Sequence, residues 1–223
     1  MQRPGVPSWW PAVGCAVAAA TLMALVLAGW TPLVAVDQAV ALSLHRHALA
    51  HALPTLVNRA LSDWVWDPSV LRLLTAGVAA ALWWRGQRRR AWWVLGTLAA
   101  AGALNNGLKL AVGRPRPQWI DPVDSAPHAA WPSGHALTAA VVFGLLVWIL
   151  WDRVPVLVSA SVAVVSVLGV GFTRLYLGVH WLSDVLGGWL LGSALVLSSV
   201  RLFARGRPGR ASERSGRRAE TSG

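Results

Sequence analysis

The chain has 223 residues, 55% of them hydrophobic and 13% charged, with 15 tryptophans and a mean hydropathy of +0.50. That composition is too apolar and too rich in tryptophan for an ordinary soluble domain, so a soluble enzyme is nearly ruled out. The formal charge of +11 does not mark a nucleic-acid binder, because eleven of the twenty basic residues form two blocks that flank long apolar runs. Those blocks are Arg85, Arg88, Arg89 and Arg90, and the seven arginines from Arg201 to Arg218. Basic flanks of this kind are a mark of membrane topology.

A hydrocarbon core of roughly 30 Å is crossed by about 20 mostly apolar residues. In chain order, six stretches meet this: residues 11–30, 68–84, 91–112, 134–151, 154–172 and 179–203. The first carries no charge and holds Cys15, the chain's one cysteine. A single cysteine excludes an intramolecular disulfide and a Cys-based zinc site, and Cys15 reads as a small apolar helix residue. The second stretch opens with Asp67 as N-cap and Pro68 as first helical residue, and Arg72 one turn in snorkels to the interface. Tryptophans such as Trp9, Trp10, Trp30, Trp83, Trp84, Trp92, Trp93, Trp148 and Trp151 bracket the ends, where amphipathic rings settle at a membrane surface.

Residues 33–61 alternate polar and apolar side chains at near-helical spacing and are too polar to cross, which predicts an interfacial helix between the first two spans. Its His45, His47 and His51 read as solvated histidines, because no carboxylate or cysteine at ligand spacing accompanies them. Asn105 and Asn106, in an apolar helix, are expected to face the bundle interior. Gly188 and Gly192, four apart, read as a close helix-packing face. The expected fold is therefore all-α, an integral-membrane bundle of six transmembrane helices with an interfacial helix between spans 1 and 2. It occupies residues 1–203, and residues 204–223 form a disordered basic cytoplasmic tail. Short Arg-rich loops stay cytoplasmic, so both termini are placed inside, where thirteen basic residues collect against seven outside.

Ionisable residues at the rim of membrane spans are expensive and so mark function. Three groups share the outer side. Lys109, the only lysine, ends the third span, and Arg116-Pro117 follows after six intervening residues; Arg114 lies between and reads as a solvated loop residue. Pro132-Ser133-Gly134-His135 opens the fourth span. Thr173-Arg174, His180 and Asp184 lead into the sixth. His180 and Asp184, four apart on a helix, share a face. The carboxylate then holds one imidazole nitrogen and leaves the other free to attack. Lys109, Arg116 and Arg174 converge on a tetrahedral oxyanion, for which phosphate is the best match to three cations. Ser133 and Gly134 at a helix N-terminus add backbone N–H groups and the helix dipole. His135, without a carboxylate nearby in sequence, is suited to protonate a leaving oxygen. No metal or other cofactor is required by this scheme.

These three segments, K-x6-R-P, P-S-G-H and T-R-x5-H-x3-D, resemble the three motifs of the type 2 phosphatidic acid phosphatase superfamily, which includes bacterial acid phosphatases and vanadium haloperoxidases. The one departure is Thr173, where the family usually has serine. The resemblance implies a helical bundle, a phosphohistidine on His180 and leaving-group protonation by His135. It also implies orientation of His180 by Asp184, and phosphate binding by Lys109, Arg116, Ser133, Gly134 and Arg174, without metal. The expected substrate is a lipid phosphate or diphosphate, such as undecaprenyl diphosphate, phosphatidate or phosphatidylglycerophosphate, hydrolysed on the extracytoplasmic face of the cell membrane. The loop 118–131 shapes specificity. The alternatives are a lipid-linked phosphotransferase using the same phosphohistidine, and a non-catalytic lipid-binding or transport protein. A degenerate binder is expected to have lost His180, Asp184 or His135, and all three are present. Nucleic acid is not an expected partner, and the sequence leaves oligomeric state open.

Overall fold

The computed structural model describes residues 8–205, and every regular element among them is helical. The expected tail 204–223 lies outside the described residues apart from Ala204 and Arg205, which end the last helix. The elements are α1 (Trp10–Leu27), α2 (Thr31–Ala50), α3 (Ala52–Ala60) continued by a π-helical turn (Leu61–Val65), α4 (Pro68–Trp84), α5 (Arg88–Val112), α6 (Gly134–Leu150), α7 (Val156–Tyr176) and α8 (Leu182–Arg205).

Local chemistry sets the boundaries. Asp67 caps α4 as expected, its carboxylate accepting from the N–H groups of Ser69 at 2.7 Å and Val70 at 3.3 Å. Gly113, with φ +60°, closes α5 in the left-handed conformation, and its N–H bonds the Lys109 carbonyl at 3.0 Å. The expected single interfacial helix is instead two. His51 adopts an extended conformation, and Thr55 bridges the break by donating its hydroxyl to the carbonyls of Ala48 and His51.

Four apolar helical stretches have the length and composition to cross a membrane: Trp10–Leu27, Ala52–Trp84, Val156–Tyr176 and Leu182–Arg205. Helix α6 is equally apolar but has 17 residues. Helix α5 has 25 residues, and its hydropathy is lowered by Trp92, Trp93, Asn105 and Asn106.

Helix α6 is the hub, packing against α8, α7, α5 and α4. Its Leu137, Val141 and Leu145 are buried with Val94 and Ala101 of α5 and Val196 and Val200 of α8. The α6–α8 approach is close because of glycine. A Cβ on Gly188 would lie 2.6 Å from the Ser133 carbonyl oxygen, and one on Gly192 would lie 2.7 Å from Ala140 Cβ. The packing face expected of these two glycines is present. At one end of the bundle, Arg89 donates to the Phe203 carbonyl at 2.7 Å, and Trp93, Trp148 and Phe203 pack ring on ring. Trp93 and Trp148, both half-buried, thus pack against the core at this end of the bundle. The opposite end carries the loops 113–133 and 177–181 and the turn 61–67, and all three sequence motifs meet there.

Candidate active site

Lys109 stands in the last turn of α5, and its Nζ donates to the Ala129 carbonyl of the following loop. Arg116 holds that loop against the one before α8. Its Nε donates to the His128 carbonyl at 3.0 Å, Nη2 to the Pro127 carbonyl at 3.0 Å, and Nη1 to the Val179 carbonyl at 2.6 Å. The same Nη1 is 3.0 Å from Nε2 of His180.

His180 is 1% exposed. Its Nδ1 is 3.4 Å from Asp184 Oδ2, and that oxygen also accepts the Trp181 N–H at 2.8 Å. The expectation that both residues lie on one helix is corrected. Helix α8 begins at Leu182, so His180 sits in the turn before it, and Asp184 in the first helical turn reaches back across the helix start. Burial and the charges of Arg116, Arg174 and Lys109 hold the His180 ring well below the usual imidazole range. Burial and the neighbouring Arg174 also lower Arg116.

The second motif reaches the same place through α6. Ser133 is fully buried and its side chain caps the helix, accepting the Ala136 N–H at 3.5 Å; its own N–H donates to the Asp184 carbonyl at 2.9 Å. Beside it, a Cβ on Gly134 would lie 3.3 Å from Asn105 Oδ1. His135, half-buried, lies within the electrostatic reach of Arg174, His180 and Arg116. Arg174 is 3% exposed in the last turn of α7. Its Nη1 donates to Ser62 Oγ at 2.6 Å and stands 3.7 Å from Asp124 Oδ2. The neighbouring Thr173 is buried with its hydroxyl donated to the Val170 carbonyl at 2.8 Å, so threonine meets the position's needs as serine would. All eight residues singled out from the sequence therefore lie at one end of the bundle. The positive charges of Arg116 and Arg174 act on both His180 and His135, and that of Lys109 acts on His180.

Several readings change. Arg114 is not a solvated loop residue: Nη1 donates to Asp184 Oδ1 at 2.6 Å and Nη2 to Asp37 Oδ2 at 2.8 Å. His45 is buried and stacked on Trp119 at 3.9 Å, because the loop 113–133 folds over α2. His47 and His51 are exposed as expected, and His47 also bonds the Tyr176 hydroxyl at 2.9 Å. Asn105 is buried as expected, whereas Asn106 is exposed and lines, with Lys109 and His128, a cleft of about 620 Å³. Among the described residues no group of three or more His, Cys, Asp or Glu side chains is placed to hold a metal.

Sequence reasoning missed Asp37, Ser62 and Asp124, each of which meets a site arginine directly. Only Asp37 left a signal: it is the sole carboxylate in the first 62 residues, and an isolated charge in an apolar region marks a partner.

Apolar helices gathering a buried His–Asp pair and a set of cations at one end define a helical membrane protein built around a histidine-centred, cationic site. The chain belongs to the PAP2 superfamily, whose family model matches residues 90–208. Over 97 residues it is 37% identical to phosphatidylglycerophosphatase B of Bacillus subtilis, covering 41% of this chain and 47% of that protein. Over 84 residues it is 40% identical to an undecaprenyl-diphosphatase of Sulfolobus acidocaldarius, 34% of this chain and 35% of the relative. A lipid A 1-phosphatase of Rhizobium johnstonii is 33% identical over 118 residues, 49% of this chain and 46% of the relative. The chain thus spans less than half the length of each of these relatives. The crystal structure of a transmembrane PAP2-type phosphatidylglycerolphosphate phosphatase from Bacillus subtilis shares the fold, with a TM-score of 0.77 at 24% identity over 90% of this chain and 100% of that one. With its apolar helices, this makes the chain a multi-pass membrane protein.

Proposed function

We propose that the protein is an integral-membrane, metal-independent lipid phosphatase that works through a phosphohistidine. The observation that carries the reading is the division of the His180 ring, with Nδ1 toward Asp184 and Nε2 toward the Arg116 guanidinium. A neutral imidazole protonated on Nδ1 turns its Nε2 lone pair to the Arg116 guanidinium, and a phosphate bound by Arg116, Arg174 and Lys109 takes over that Arg116 N–H and brings its phosphorus before Nε2. Nε2 attacks phosphorus, the phosphorus–oxygen bond to the lipid breaks, and His135 gives its proton to the departing oxygen. Water then attacks the phosphohistidine, His135 takes up the proton, and phosphate leaves with His180 restored. Ser133 and Gly134 supply the helix start that faces the phosphate oxygens.

The substrate is a lipid phosphate or diphosphate, in keeping with relatives named for phosphatidylglycerophosphate, undecaprenyl diphosphate and lipid A. A site at the ends of membrane helices meets a headgroup while the tail stays in the bilayer. In this reading α1, α4, α5, α6, α7 and α8 are the six spans of one domain, 1–203. The termini and the arginine loop lie in the cytoplasm and the site faces outward.

The test is phosphate release by purified, detergent-solubilised protein, with chelator present, from undecaprenyl diphosphate, phosphatidate and phosphatidylglycerophosphate, beside the His180→Ala variant. Release that disappears in the variant is expected. Near-normal release by His180→Ala overturns the mechanism.

A further inference from the structure

Asp37 lies on α2, outside the segment matched by the family model, yet it is 1% exposed and hydrogen-bonded on both oxygens. Oδ1 accepts the Ser183 N–H at 2.9 Å; Oδ2 accepts the Ser183 hydroxyl at 2.5 Å and Arg114 Nη2 at 2.8 Å. Arg114 Nη1 donates in turn to Ser183 Oγ at 2.7 Å and to Asp184 Oδ1 at 2.6 Å. Asp184 is therefore held on both oxygens, Oδ1 by Arg114 and Oδ2 by the Trp181 N–H, with the remaining direction of Oδ2 turned to His180 Nδ1. Although Arg114 is two residues from Arg116, both its Nη atoms are engaged by carboxylates.

We infer that Asp37 and Arg114 are positioning residues that act on His180 through Asp184, fixing the carboxylate's orientation and giving the Nδ1 side of the ring a net negative charge. This inference rests on the phosphatase reading above. An Arg114–Asp184 pair by itself carries no net charge; Asp37 restores a charge of −1 to the group. That matters because attack through Nε2 makes the ring cationic while its proton stays on Nδ1. Arg116, Arg174 and Lys109, which attract the phosphate, all oppose a positive ring. The Asp37–Arg114–Asp184 group offsets them from the opposite edge.

The experiment is a double-mutant cycle between Asp37→Asn and Asp184→Asn, with lipid turnover and inhibition by inorganic phosphate as readouts. Asp37→Asn alone is expected to lower kcat on the order of 10- to 100-fold, with KM and phosphate inhibition little changed because the cations are untouched. In the Asp184→Asn background the same substitution costs little further. Equal losses in both backgrounds, or a loss of phosphate affinity matching the loss of kcat, make Asp37 merely structural and overturn the inference.

Nitrogen-15 NMR of the His180 ring reads its tautomer without turnover. The wild type is expected to hold the proton on Nδ1 and Asp37→Asn to mix the two tautomers. An unchanged tautomer overturns the inference whether or not the wild type is active, so its failure is distinct from failure of the phosphatase reading. Arg114→Lys keeps the charge but cannot span both carboxylates. It should give the same pattern, and it replaces Asp37→Asn should that variant not fold.

Discussion

Arg116 and His180 face each other at 3.0 Å, guanidinium Nη1 to imidazole Nε2, with Arg116 fixed by the carbonyls of Pro127, His128 and Val179. Every nitrogen of the guanidinium is engaged, so it is held in one orientation before any phosphate arrives. A planar fork does this and a point charge cannot.

Arg116→Lys should therefore retain the positive charge and lose the geometry. Hydrogen bonds to charged groups are worth about 1.5–3 kcal/mol each, which sets the expected fall in kcat/KM at roughly 10- to 150-fold. Steady-state kinetics on the best lipid substrate checks it. A lysine variant within about threefold of the wild type would mean that charge alone matters at this position.

His180 gives a pH prediction whose sign follows from its burial. The ring titrates well below the ordinary imidazole value, first because it is buried and then because Arg116, Arg174 and Lys109 surround it. Below about pH 6.5 the unfolded chain binds a proton at this residue that the folded chain refuses. The stability linked to His180 is thus complete above about pH 6.5 and is lost as pH falls below it, by at most about 1.4 kcal/mol per pH unit. Unfolding midpoints in detergent between pH 7.5 and 5, for wild type and His180→Ala, should diverge on the acid side, the wild type falling more steeply. Parallel curves would show that the folded ring protonates as freely as the unfolded one.

The charged residues of the site are legible because charge inside an apolar sequence has few explanations: Lys109 and Arg174, which meet substrate phosphate in this reading, and Asp184, which orients His180, stand out against their helices. What supports them is not. Asp37 meets Ser183 across 146 residues of sequence, and nothing local to either residue encodes the pairing. The apolar stretch 154–172 ends four residues before α7 does, because Thr173 and Arg174 belong to the last turn of the helix, which runs to Tyr176. Helix α8 begins later than its hydropathy suggests, because Val179 and His180 are buried in a turn that Arg116 and Trp119 hold through the Val179 and Gly178 carbonyls. An apolar setting predicts an interior place for both Asn105 and Asn106, yet consecutive helix positions point about 100° apart and only Asn105 faces α6.

The close approach of α6 and α8 supplies a prediction that links packing to the site. A Cβ on Gly188 would meet the Ser133 carbonyl oxygen at 2.6 Å and Ala136 Cβ at 3.0 Å, and neither backbone nor first-turn atoms can move without carrying the start of α6 with them. Gly188→Ala should cost about 1–3 kcal/mol. It should also lower kcat, because separating the helices breaks the Ser133 N–H bond to the Asp184 carbonyl, now 2.9 Å, that ties the second motif to the third. Gly77→Ala on α4 is the control: nothing lies within 4 Å of its new Cβ, so stability should hold or rise by up to about 1 kcal/mol, with turnover unchanged. Thermal unfolding and turnover of the two variants side by side decide the matter. If Gly188→Ala behaves like Gly77→Ala on both measures, the contact between α6 and α8 is looser than 2.6 Å implies, and Ser133 is not positioned by it.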